Sequence, residues 1–148
     1  MSFAGSLSWQ PAHGLCLAAA LLIIPANFVG IYGVVMARKR FEVKYPALYA
    51  DKSHKYAHDF NCVQRGHQNF LENVPIHFMV LGIASIYRPK VAALAALVRT
   101  AGFIAYMRGY ATGKVENRNR GAFGYLGFFT MFFLACEVAG RLIADGLL

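Results

Sequence analysis

From Gly14 to Ala37 the chain runs 24 residues without a charged side chain. As a helix rising 1.5 Å per residue, this run is about 36 Å long, enough to cross a hydrocarbon core of about 30 Å. It is too long for the apolar region of a signal peptide, and it ends directly at Arg38-Lys39-Arg40. A retained transmembrane helix over 14–37 is expected. Pro25 inside it should kink the helix and free a carbonyl, which Asn27 or a neighbouring helix can satisfy.

Composition extends the point to the whole chain. Of 148 residues, 57% are hydrophobic and 15% charged, against about 25% charged in a soluble domain. A small polytopic membrane protein follows, with 1–148 as one domain. The formal charge of +8 attracts anions, but the basic residues sit at the ends of apolar runs, where lipid head groups or an anionic substrate would meet them. Nucleic acid is therefore not the expected partner. Three cysteines, Cys16, Cys62 and Cys136, do not make a disulfide framework.

Three further runs complete the organisation. Residues 62–87 begin polar and turn apolar at Val74, 91–110 hold Arg99 within an apolar stretch, and 122–144 hold Glu137 and Arg141. An all-α integral membrane fold of four transmembrane helices is predicted, with Tyr87-Arg88-Pro89-Lys90 as a tight turn, since Pro89 disfavours helix at Arg88 and can open the next helix. Long connections fall only between helices 1 and 2 and between helices 3 and 4. Seven Lys and Arg lie between Arg38 and Arg65 and four between Arg108 and Arg120, against three, Arg88, Lys90 and Arg141, on the opposite side. That bias predicts long loops facing the cytosol.

Chemistry concentrates at a few places. Arg65, Asn69 and Glu72 stand at i, i+4 and i+7, within about 40° on a helix face. Arg presents a planar fork to carboxylates and Glu accepts from an ammonium, so the set suits a zwitterionic amino-acid head group; it suits an ion-pair network equally. On helix 3, Arg99, Tyr106, Tyr110 and Gly113 share a second polar stripe. Tyrosines at a membrane boundary also make an aromatic belt, but an intramembrane Arg such as Arg99 faces the bundle interior or a water-filled cavity. Arg118 and Arg120 precede helix 4, where a guanidinium can stabilise a thiolate, or can simply anchor the cytosolic side. Arg38, Arg65 and Arg118 or Arg120 on one membrane side favour a pocket for a multiply anionic ligand.

Other patterns point less far. His54, His58 and His67 with Asp59 contain His-x-x-x-His, but no second pair at ligand spacing exists, and no metal is expected. Gly121, Gly124 and Gly127 at threefold spacing predict a close helix contact rather than a phosphate loop. Glu137 and Arg141, at i and i+4, are expected to neutralise each other.

The run Arg65-x-x-x-Asn69-x-x-Glu72-x-x-Pro75, with Arg38-Lys39-Arg40-Phe41 before it and Tyr106-x-x-x-Tyr110, Gly109-Tyr110-Ala111-Thr112-Gly113 and Arg118-Asn119-Arg120-Gly121-Ala122 after it, resembles the MAPEG family, membrane-associated proteins in eicosanoid and glutathione metabolism. The resemblance implies a four-helix protomer, a homotrimer, and glutathione bound between protomers on the cytosolic side. It implies that Arg65, Asn69, Glu72 and Tyr106 hold the γ-glutamyl end, that Arg38 and His67 meet the glycyl carboxylate, and that Tyr110 lines the same pocket. Either Arg118 or Arg120 would activate the thiol. The chain departs from the family pattern at Phe103, where an Arg is common, with Arg99 one turn further away, and at Asn73, where a leukotriene C4 synthase has an aromatic residue.

The expected function is a membrane glutathione transferase and glutathione-dependent lipid hydroperoxide peroxidase, with leukotriene-C4-synthase-type conjugation as a further activity. Its partners would be glutathione, a lipophilic electrophile or lipid hydroperoxide, and membrane lipid of the endoplasmic reticulum or outer mitochondrial membrane. The alternative is a non-catalytic, lipid-presenting membrane protein of the same fold.

Overall fold

The computed structural model describes residues 10–147. Its helices are α1 (His13–Leu21), α2 (Ile23–Phe41), α3 (Ala57–Ala84), α4 (Pro89–Tyr110), a 3-10 helix (Val115–Gly121) and α5 (Gly124–Leu147). The first run is thus two helices rather than one, and the four expected helices become five. Pro25 has no N–H to give the carbonyl of Leu21, so the ladder breaks at Leu22. The break is slight. Leu22 keeps near-helical backbone, its N–H reaches the Ala18 carbonyl at 3.3 Å, and its own carbonyl accepts from Ala26 at 3.3 Å.

Among the described residues three rods are long and apolar enough to cross a membrane: His13–Phe41, Pro89–Tyr110 and Gly124–Gly146. Helix α3 is as long, at 28 residues, but Asp59, Arg65 and Glu72 make its first half amphipathic rather than apolar. The outer faces of α1, α2 and α5 expose Leu17, Phe28, Leu126 and Phe133. Such a surface is stable only against hydrocarbon or another apolar face.

Helix α4 is central, touching all four other helices and the 3-10 helix. Its packing surface is made of small residues, Ala92, Ala93, Ala95, Ala96 and Gly102, which let neighbouring backbones approach. A Cβ at Gly124 would stand 3.0 Å from the Gly102 Cα, and one at Gly127 only 2.2 Å from the Ala95 carbonyl oxygen. Those glycines are where α5 lies against α4.

The two ends of the bundle differ. At one, the Cys16 thiol donates to the Pro89 carbonyl at 3.0 Å, and Glu137 is held by Arg88 through two bonds of 3.0 Å as well as by Arg141 at 2.8 Å. The expected Glu137 and Arg141 pair therefore has a third member, from the turn before α4. At the other end the start of α3 meets the second connection, His58 Nε2 lying 2.8 Å from the Gly113 carbonyl oxygen, and Tyr49 of the first connection lines one groove with Val115. The first connection is shorter than expected, 42–56, because α2 continues through Arg38-Lys39-Arg40 and α3 begins at Ala57. Glu42, in the left-handed region at φ 57°, closes α2.

Candidate functional site

The outward face of α3 carries Arg65, Gln68, Asn69 and Glu72 on successive turns. Arg65 Nη1 donates to Glu72 Oε1 at 2.9 Å, with the two side chains 43% and 46% exposed. Gln68 Nε2 donates to the same oxygen at 3.2 Å, and the Tyr49 hydroxyl donates to Gln68 Oε1. The ion pair that the spacing permits is thus formed. An exposed pair of this kind is worth about 0 to 1 kcal/mol, so it exchanges readily for a ligand's charges.

Arg65 also borders a groove of about 420 Å³, lined with Tyr49, His58, Asn61, Cys62, Tyr110 and Val115. Three segments build it. The 42–56 loop is tied to α3 by Asn61, which accepts from the Ala50 N–H at 2.8 Å and donates to the Ala50 carbonyl at 3.1 Å. In that loop the backbone N–H and hydroxyl of Ser53 bind Asp51 and hold its carboxyl below the ordinary value. The end of α4 supplies Tyr110, packed edge-on against Tyr106 at 5.6 Å between ring centroids. The 3-10 helix closes the groove beside Val115.

That last segment is seated by glycines. A Cβ at Gly109 would lie 2.0 Å from the Asn117 carbonyl oxygen, and one at Gly121 would lie 2.6 Å from Tyr106 Cβ. The Thr112 hydroxyl completes the seat, accepting from Asn117 Nδ2 at 2.9 Å while donating to the Gly109 carbonyl at 2.7 Å. Gly113 turns the chain at φ 76°, a conformation that glycine adopts without strain.

So seated, the segment places its two arginines differently. The Arg118 guanidinium carbon lies 5.9 Å from the centre of the Tyr110 ring. Both arginines are exposed and neither makes a hydrogen bond or ion pair among the described residues, so the ring contact is what distinguishes Arg118. Arg65 and Tyr110 are therefore brought to one groove, with Arg118 above the Tyr110 ring and Tyr106 packed against Tyr110.

Two other sequence candidates lie apart. Arg38 is buried, its Nη2 donating to the Ala47 carbonyl at 2.8 Å and its guanidinium 4.3 Å from the Tyr45 ring, so it holds the 42–56 loop. His67 is two residues beyond Arg65, on the far side of α3. Its Nε2 lies 2.9 Å from Asn27 Oδ1 on α2, and a Cβ at Gly30 would meet the imidazole at 2.3 Å. His54 and His58 go to other partners, Tyr56 N–H and Gly113, and among the described residues no group of three His, Cys, Asp or Glu is arranged for a metal.

Tyr49, Gln68 and Asn61 were missed in the sequence. Gln68 had a readable signal, standing i+3 from Arg65 and i−4 from Glu72. Tyr49 and Asn61 had none, because loop closure alone brings them in. A comparison with protein-family models matches residues 16–140 to the MAPEG family.

Proposed function

The chain belongs to the MAPEG family, and on that premise we propose that it is a membrane glutathione transferase with glutathione-dependent lipid hydroperoxide peroxidase activity. Within the family its motifs resemble those of microsomal glutathione S-transferase 3. The observation that carries the reading is the groove of about 420 Å³, with the Arg65 and Glu72 pair at one border and Tyr110 beneath Arg118 at another.

In this reading the zwitterionic γ-glutamyl end exchanges with the ion pair. Its carboxylate takes the Arg65 fork, its ammonium takes Glu72, and Asn69 and Tyr106 supply neutral hydrogen bonds, so one exposed salt bridge becomes two. Arg118 stabilises the thiolate, which attacks an electrophilic carbon of a lipophilic substrate and forms the C–S bond as the carbon's bond to its leaving group, or to an epoxide oxygen, breaks and that atom takes the electron pair and then a proton. With a lipid hydroperoxide the thiolate attacks oxygen, the O–O bond breaks, and the alkoxide takes a proton to become the alcohol. The glutathione sulfenic acid left behind reacts with a second glutathione to give the disulfide and water. The protein supplies orientation and electrostatics; glutathione is the nucleophile.

Arg38 and His67 belong to the edge formed by α2 and the far side of α3, away from the Arg65 stripe. For both to meet the glycyl carboxylate, a neighbouring copy must bring its own α2 edge to the groove. A homotrimer with sites between protomers does this, with residues 1–148 acting as one membrane domain, and it also covers polar stripes that cannot face lipid. The groove faces the cytosol, in the endoplasmic reticulum or outer mitochondrial membrane.

Stopped-flow absorbance of the glutathione thiolate on the purified protein tests the activity. A thiolate band on mixing is expected; its absence at saturating glutathione overturns the transferase reading. Native mass spectrometry from detergent tests the assembly, and a monomer that still binds glutathione overturns the shared site.

A further inference from the structure

Arg99 stands in the middle of α4 with 7% of its surface exposed. Its Nη2 donates to Asn73 Oδ1 at 3.1 Å, while its Nε is buried without an acceptor. Aromatic rings surround the guanidinium, Phe103 at 4.2 Å, Tyr125 at 4.9 Å and Phe128 at 5.4 Å. No carboxylate forms an ion pair with it among the described residues. His77, one turn beyond Asn73 on α3 and 1% exposed, has neither ring nitrogen hydrogen-bonded. It packs on the same Phe103, 6.2 Å between ring centroids.

A guanidinium has five N–H donors and keeps its charge in proteins. Within a membrane-crossing helix it is costly unless paired. The rings stabilise the charge and the Asn73 and Tyr125 oxygens face it, but these are neutral and Nε keeps no acceptor. Arg99 and His77 thus leave a local demand for an anion that accepts hydrogen bonds.

The approach to Arg99 defines that anion further. Tyr125 is 55% exposed and Asn73 is partly exposed, so the two side chains that touch the guanidinium also reach the outer surface of the bundle. The surface of α5 around Tyr125 is apolar, with Leu126, Phe129 and Phe133 exposed. An anion arriving this way has to carry an apolar body.

We propose that Arg99, Asn73 and His77 form a binding site for the carboxylate head of a long-chain acid that enters from the bilayer past Tyr125. The Arg99 fork takes the carboxylate and the imidazole N–H of His77 donates to it. The Asn73 amide also donates to the Asn69 carbonyl at 2.9 Å, which sets the head site one turn deeper than the face carrying Arg65. None of its residues lines the groove assigned to glutathione, so it stands independently of that assignment.

The test is carboxyl-labelled oleate, followed by carbon NMR, bound to the full chain in phosphatidylcholine nanodiscs, with methyl oleate as competitor. A distinct bound carboxyl resonance is expected, resistant to excess methyl oleate and weakened about tenfold or more by Arg99→Gln, less by Arg99→Lys. The proposal is overturned if no bound resonance forms, if the neutral ester displaces oleate equally, or if Arg99→Gln binds as the parent does. Stoichiometric displacement of oleate by glutathione also overturns it, because Arg99 would then serve the peptide's carboxylate. The ester competition uses the unaltered protein and decides the matter even if a variant does not fold. The thiolate band, read without oleate, reports separately on the transferase.

Discussion

The guanidinium of Arg118 lies 5.9 Å from the centre of the Tyr110 ring, and Tyr110 lines the groove that Arg65 borders. The family resemblance favours Arg118 over Arg120 by its distance before the helix 4 glycines, the ring contact agrees with that order, and thiol ionisation is where the difference should be measured.

A free thiol of pKa about 8.5 is only a few per cent ionised at neutral pH, and lowering it by one to two units takes roughly 1.4 to 2.7 kcal/mol. One guanidinium held against the sulfur by the bound ligand supplies that amount. Arg118→Ala should abolish the thiolate band while glutathione still binds, and Arg120→Ala should leave most of it. The reverse pattern, by stopped-flow absorbance, would assign the role to Arg120.

The Arg65 and Glu72 pair should govern affinity rather than ionisation, since it is assigned the ligand's amino-acid end. Arg65→Ala or Glu72→Gln removes a hydrogen bond to a charged group, about 1.5 to 3 kcal/mol, or roughly a 10- to 100-fold rise in Kd by calorimetry. At saturating glutathione the band should return in both variants. A band that stays lost in Arg65→Ala would place that residue beside the thiol instead.

Gly109 should behave as part of the site although it carries no side chain. A Cβ there stands 2.0 Å from the Asn117 carbonyl oxygen, which is backbone and must move. Gly109→Ala should cost about 1 to 3 kcal/mol, lower the melting temperature in detergent, and weaken the thiolate band by displacing Arg118. An unchanged band would show that Arg118 does not depend on this seat.

Protease treatment of sealed microsomes tests the orientation. Both long connections lie at one end, Tyr49 and Val115 lining one groove, and with most of the basic residues there, cleavage in the 42–56 loop is predicted from the cytosolic side. Protection of that loop while the opposite end is cut would reverse the proposed topology.

The membrane-protein character was legible from sequence because spanning a bilayer is mainly a matter of length and charge, and Gly14 to Ala37 meets both conditions without reference to any neighbour. The alignment of Arg65 with Glu72 was legible for a similar reason, helical periodicity being local. The two-helix form of the first run was only half legible: Pro25 announced a disturbance, but its place at Leu22 depends on which carbonyl goes without a partner.

Tertiary structure decided the rest. Residues 118 and 120 differ by two positions in a short 3-10 helix, and which of them turns over Tyr110 depends on Gly109 and Gly121 admitting that helix against α4. The sequence put Arg99 on a polar stripe of the third helix and offered no reading of His77; packing alone brings both onto Phe103. Local sequence fixes the period and length of a helix, whereas its azimuth and its distance from a neighbour are set by side chains far apart in the chain, and the chemistry of this site depends on both.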